Sequence, residues 1–306
     1  MKQVITFIIL TFGFSIFGYT AVIHPGFWGL DPGQAMFLLM WCPALAAITC
    51  TLIFRQKFGE LGLRLPSCKW LVVGYVIPIA YGLVAYGSIW LMRITKFDSG
   101  RDINLYQLAV YGILVSIAFV TGEEIGWRGY LMPNLKRISW NNPQVRHCEP
   151  SQCSSAGAAI FSKQIASSIT PRNDKVCLSS NVASVICGLV WTVWHLPIIF
   201  AGLYLFKMPV LPQIILLTIS LIGFSLIAEW LRLKSASIWP VAMLHASHNG
   251  FIQGYFDSMT IVSTRVASYL TGESGIAMTV VFAILGVVFW KNIKKLELNH
   301  VRKATE

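Results

Sequence analysis

An all-α, polytopic membrane helix bundle with about eight transmembrane helices is the fold this chain predicts, and three observations predict it. Of its 306 residues, 55% are hydrophobic and only 12% charged, whereas about a quarter of a soluble domain is charged; mean hydropathy is +0.63. Apolar runs long enough to cross a hydrocarbon core of roughly 30 Å recur along the chain. The basic residues between them alternate from loop to loop, as the positive-inside rule requires.

The runs are Val4–Ile23, Gln34–Phe54, Trp70–Met92, Leu105–Pro133, Ser179–Phe200, Leu211–Leu231, Ser237–Phe256 and Ser274–Trp290. The first follows a lysine, as a secretory signal does, but it is too long and no small-x-small site follows Ile23, so it reads as a retained helix. The first three contain no Asp, Glu, Lys, Arg or His and read as scaffold. Between the first two, His24-Pro25-Gly26 and Asp31-Pro32-Gly33 are turn formers, and His24 reads as a solvated loop residue.

With both termini cytoplasmic, eighteen Lys and Arg fall on the inner side and five on the outer, with Arg128 left inside the membrane. The net charge of +11 is thereby explained by topology: the partner is the lipid bilayer, and no nucleic acid is implied. From about 141 to 175 the apolar pattern breaks into a polar cytoplasmic insert that looks like a translated interspersed repeat element. His147, Cys148, Cys153 and Cys177 lie in and beside it without the paired Cys-x-x-Cys spacing of a zinc site. The seven cysteines are odd in number and scattered, so they form no disulfide framework. The organisation read from this is a scaffold over 1–104, a core over 105–256 interrupted by the insert, and a last helix with a basic tail over 257–306.

The fourth run carries Thr121-Gly122-Glu123-Glu124-Ile125-Gly126-Trp127-Arg128. Each ionised group in mid-membrane costs roughly 2.5–3.5 kcal/mol on insertion scales, so these charges must be paired or used. Glu124 and Arg128 stand at i and i+4 with the acid first, the better orientation for an ion pair. Glu123 is rotated about 100° away and stays free for chemistry. Adjacent acids also repel, which favours a proton on one of them. Arg128 lies about 12 Å along a helix from Lys136, which predicts a site in the cytoplasmic half.

The fifth run places Trp191 and His195 one turn apart, and Pro197 is expected to kink or end the helix beside the histidine. In the seventh, His245 and Asn249 share a face, whereas His248 points off it and reads as a core histidine. Near the cytoplasmic end of the sixth, Glu229 is expected to pair with Arg232. A carboxylate base, a histidine to hold water and His/Asn donors for an oxyanion are the inventory of peptide hydrolysis. No serine or cysteine stands in a nucleophile motif, so activated water fits better than an acyl-enzyme.

Glu123-Glu124-x-x-x-Arg128, Trp191-x-x-x-His195 and His245-x-x-x-Asn249, in that order, resemble the three motifs of the Abi or CPBP intramembrane proteases, which include the type II CAAX prenyl endopeptidases and lysostaphin-resistance-like proteins. The resemblance covers roughly Leu105 to Phe256. It implies that Glu123 is the general base, His195 positions the water, His245 and Asn249 form the oxyanion hole, and Glu124 and Arg128 structure the site. Two features depart from it: Trp191 stands where many members have phenylalanine, and the insert lengthens the loop between the first two motifs. The family was long regarded as metal-dependent. Because no span carries His-Glu-x-x-His, the expectation is a metal-free mechanism without a cofactor, a divalent metal such as zinc being the alternative. The implied substrate is a peptide or lipidated protein, and the implied setting a bacterial inner membrane. A non-catalytic immunity factor or adaptor of the same fold competes with this reading. A transporter ranks below both, because the first three spans lack polar counterparts to the later ones.

Overall fold

The computed structural model describes residues 1–26, 28–140, 176–204 and 208–305. The insert at 141–175, with His147, Cys148 and Cys153, lies outside the described residues. Cys177 is buried. Helices α1 (Lys2–Ile23) and α2 (Pro32–Ile53) are joined by a turn in which Asp31 caps α2: its carboxylate accepts from Gln34 N at 2.9 Å, and the Gln34 side chain accepts from Asp31 N at 3.1 Å. Next come α3 (Cys68–Leu91), α4 (Gln107–Lys136), α5 (Ser180–Phe200) and α6 (Val210–Ser235). Helix α7 (Trp239–His248) continues as π-helical turns over Asn249–Phe256. The short α8 (Arg265–Leu270) and the long α9 (Ile276–Thr305) complete the chain.

Seven of these helices are long and apolar enough to cross a membrane, and the chain is an integral membrane protein. The run expected at Ser237–Phe256 falls short of the other seven: its helix is only 10 residues before the π-helical 8, and His245, His248 and Asn249 dilute its apolar character. The faces turned away from the bundle are apolar, with Ile9, Ile16, Leu83, Val84, Val280 and Ile284 exposed, as contact with lipid tails demands. Pro197 does not stop α5. It removes a hydrogen bond only one turn from the end, and the helix runs on to Phe200.

The bundle has two distinct ends. At one, Gln56 pairs with Asn134, Arg137 with Glu60, Arg64 with the carbonyls of Ser235 and Ala236, and Trp239 with Leu63 O. At the other, Lys96–Phe97 forms a short antiparallel ladder with Thr260–Ile261, and Arg101 donates to Ser258 O. A second two-residue ladder, Ser139–Trp140 with Val176–Cys177, closes the chain on either side of the insert.

Helix α4 seats the Glu-Glu segment against α2 through glycine. A Cβ at Gly122 would lie 2.6 Å from Met40 O, and one at Gly126 would lie 2.4 Å from Pro43 Cβ, distances that only a bare Cα permits. Directly after Glu124 the helix widens into π-helical turns over Ile125–Leu131, as α7 does directly after His248. Such widenings recur at functional sites, where they re-aim side chains.

Candidate active site

Glu123 and Glu124 face different surroundings, as their rotation about α4 requires. Glu124 is fully buried, and its Oε1 accepts from Arg128 Nη1 at 3.1 Å and meets His245 Nδ1 at 2.9 Å. The expected i, i+4 ion pair is thus formed, and a third helix joins it. Arg128 also donates to Ser225 Oγ at 3.2 Å and lies over the Trp191 ring, 4.3 Å from its centroid. That stacking adds a cation–π attraction in a dry site.

Glu123 is tied by one oxygen only. Its Oε2 accepts from Trp191 Nε1 at 2.7 Å and from Trp127 Nε1 at 3.3 Å. Among the described residues its Oε1 has no hydrogen-bond partner. The carboxylate is nearly buried, 3% exposed, yet lines a cavity of about 720 Å³. His195, His245 and Asn249 line the same cavity, so the structure brings all three motifs to one space, with Glu124 and Arg128 behind it.

The histidine partners fix which ring nitrogen carries a proton. His195 Nδ1 lies 2.8 Å from Trp191 O, and a carbonyl oxygen only accepts, so Nδ1 is protonated and Nε2 is left for the cavity. The same logic at His245 sets an Nδ1–H against the Glu124 carboxylate. Its Nε2 therefore donates into the cavity when the ring is an imidazolium and accepts when it is neutral. Asn249 has no side-chain hydrogen bond among the described residues. No three His, Cys, Asp or Glu side chains among the described residues gather as a metal-ligand group.

A second polar layer lines the cavity and was not legible in the sequence. Glu273, beyond α8, accepts from Gln253 Nε2 at 2.7 Å and Tyr204 Oη at 3.2 Å, and its Oε1 lies 3.5 Å from His248 Nε2. His248 also meets Tyr81 Oη at 2.6 Å through Nδ1, so it is the satisfied core histidine expected, but one that braces a cavity acid. Asp257, which accepts from Tyr86 Oη, also lines the space; burial pushes its carboxyl up to about 6. Burial acts against the charge of Glu273 as well. The hydrogen bond from His248, the positive charge that the His248 and His195 rings bring when they take up a proton, and the Gln253 amide outweigh it, holding that carboxyl at about 2.

A carboxyl held below its ordinary value of 4.5 stabilises the fold above that pH, and the contribution is lost as pH falls toward the folded value. The melting midpoint of the purified chain in detergent should therefore drop between about pH 4.5 and pH 2, and Glu273→Gln should flatten that drop. Parallel curves for the two proteins would count against this role.

One expectation is corrected by the packing. Glu229 does not pair with Arg232: it is fully buried and takes Lys136 Nζ at 2.7 Å across the bundle, while Arg232 reaches back to Glu60 O at 3.4 Å. The acid faces the core and the arginine faces the 55–64 loop, so i, i+3 spacing alone does not join them. The cavity above Glu123 is lined from the end of the bundle away from Lys136. It takes Met36, Ser116, Ile198, Tyr204, Val262 and Ser268 and nothing from the Lys136 end.

A search among curated proteins returns no match to the chain. The family model described as Type II CAAX prenyl endopeptidase Rce1-like matches residues 105–251, a stretch that spans all three motifs. Residues 105–251, just under half of the chain, thus carry a domain of the type II CAAX prenyl endopeptidase, Rce1-like, kind.

Proposed function

We propose that the chain is an intramembrane endopeptidase that hydrolyses a peptide bond of a membrane-associated or lipidated substrate with water activated by Glu123. The observation that carries this reading is the asymmetry of Glu123: two indole N–H groups anchor one oxygen, and the other has no partner among the described residues, on a side chain that lines the same cavity as His195 and His245. A water there would donate one O–H to Glu123 Oε1 and the other to His195 Nε2, turning its lone pair to the substrate carbonyl. As the water oxygen bonds to the carbonyl carbon, its proton passes to Glu123 and the carbonyl oxygen becomes an oxyanion. Asn249 and an imidazolium His245, held by Glu124, donate to that oxyanion. Glu123 then returns the proton to the leaving nitrogen as the C–N bond breaks.

Comparing membrane-protein termini by mass spectrometry in cells carrying the native chain or Glu123→Gln tests the reading. New C-terminal ends seen only with the native chain would support hydrolysis and identify the substrate. Identical termini, with a phenotype that survives the substitution, would favour an immunity factor or adaptor.

Trp191 acts here as a positioning residue, through the N–H that phenylalanine lacks. A hydrogen bond to a charged group contributes about 1.5–3 kcal/mol, so Trp191→Phe should lower kcat by about 10- to 100-fold while the chain accumulates normally. An unchanged kcat would remove Trp191 from the mechanism.

A further inference from the structure

The geometry points to a cavity loaded from the extracytoplasmic face, so that its substrate is a peptide segment already across the membrane or in the outer leaflet. This rests on the endopeptidase reading only for the word substrate; the side of access follows from packing and charge.

Three observations carry it. First, the stretches lining the cavity extend from Glu123 and His245 at its base toward one end of the bundle: the first half of α2, α4 up to Glu123, the last turns of α5 with Leu203 and Tyr204, α7 from His245 through its π-helical end, and the segments around Val262 and Gly272. Its rim residues Val115 and Val262 are 41% and 38% exposed.

Second, the other end is filled. Between Glu123 and Lys136 stand Trp127, Arg128, Tyr130, Leu131, Met132 and Leu135, none more than 2% exposed. Gln56–Asn134 and Lys136–Glu229 close the bundle below them.

Third, that filled end carries the basic residues. Fourteen described Lys and Arg lie there, at position 2, in the 55–69 loop, at 136–137, at 232–234 and along the last half of α9, against four at the cavity end. The positive-inside rule places the basic end in the cytoplasm. It therefore places the cavity mouth outside. The lining fits an internal peptide segment better than a free C-terminus: it holds Glu123, Asp257 and Glu273 and, among the described residues, no Lys or Arg to pair with a terminal carboxylate.

The test reads access without needing catalysis. Ser116→Cys and Ser268→Cys each place a thiol in the cavity wall, outside the proposed catalytic residues. Cys68, exposed at the basic end, is the internal control once Cys148→Ser and Cys153→Ser silence the insert. Intact cells and permeabilised cells are treated with a charged, membrane-impermeant maleimide.

In intact cells the cavity thiols should be labelled roughly tenfold or more faster than Cys68, because a charged reagent does not cross the hydrocarbon. Permeabilisation should bring Cys68 up to them. Cavity thiols that react only after permeabilisation, or from neither side, or a Cys68 that reacts in intact cells, would overturn the proposal. Two cavity positions guard against one variant failing to fold. Adding Glu123→Gln should leave the labelling unchanged, so a loss of proteolysis and a wrong side of access give separate results.

Discussion

Glu123→Gln is expected to reduce peptide hydrolysis by roughly 10²- to 10⁴-fold, the usual contribution of a positioned general base, while the protein accumulates to native levels. The amide is nearly isosteric with the acid. Its oxygen can still accept from the indoles of Trp191 and Trp127, so the fold loses little. What it loses is the capacity to take a proton from water. Single-turnover cleavage by purified native and variant chains, alongside their melting curves, separates the two effects. Retained cleavage would remove Glu123 as the base, and a collapsed melting midpoint would show it to be structural.

The largest effect on stability is expected at Arg128. Arg128→Ala would leave Glu124 charged and fully buried with only His245 beside it. Removing one member of a buried pair costs about 3–5 kcal/mol. The two rings against the guanidinium, Trp191 and Phe224, would face a void as well, so the variant should accumulate poorly. Replacing the pair together, Glu124→Leu with Arg128→Met, should recover most of that accumulation, because apolar groups of similar volume do well in a dry site. It should not recover cleavage, since His245 loses the carboxylate that holds its Nδ1–H. A single substitution that is tolerated would show the pair to be hydrated.

The apolar runs positioned the long helices to within a few residues, because length and hydropathy are what a bilayer selects for, except that α9 runs on from the expected end at Trp290 to Thr305, its charged last half being outside any hydropathy signal. The i, i+4 spacings brought Glu124 to Arg128 and set His245 and Asn249 on one lining face, because helix geometry alone fixes those relations. Tertiary contacts were not legible in this way. Glu273 reaches His248 from a segment 25 residues further on, after the chain has turned back through α8. Glu229 selects Lys136 over its near neighbour Arg232 for reasons of facing. The tryptophan at 191 read as an aromatic swap until its N–H was found on Glu123. The distance from Arg128 to Lys136 measures depth along one helix. It says nothing about which end of the bundle is filled by large side chains and which is left open.

The short ladder between Ser139–Trp140 and Val176–Cys177 has a consequence in chain statistics. It holds Trp140 and Val176, the described residues on either side of the 35 residues 141–175, side by side. The entropy of joining two chain ends grows only with the logarithm of the length between them, about 0.6 kcal/mol for each doubling. Between α4 and α5 the gene can therefore gain or lose sequence at a thermodynamic cost smaller than that of one buried methylene, with the two helices on either side unmoved.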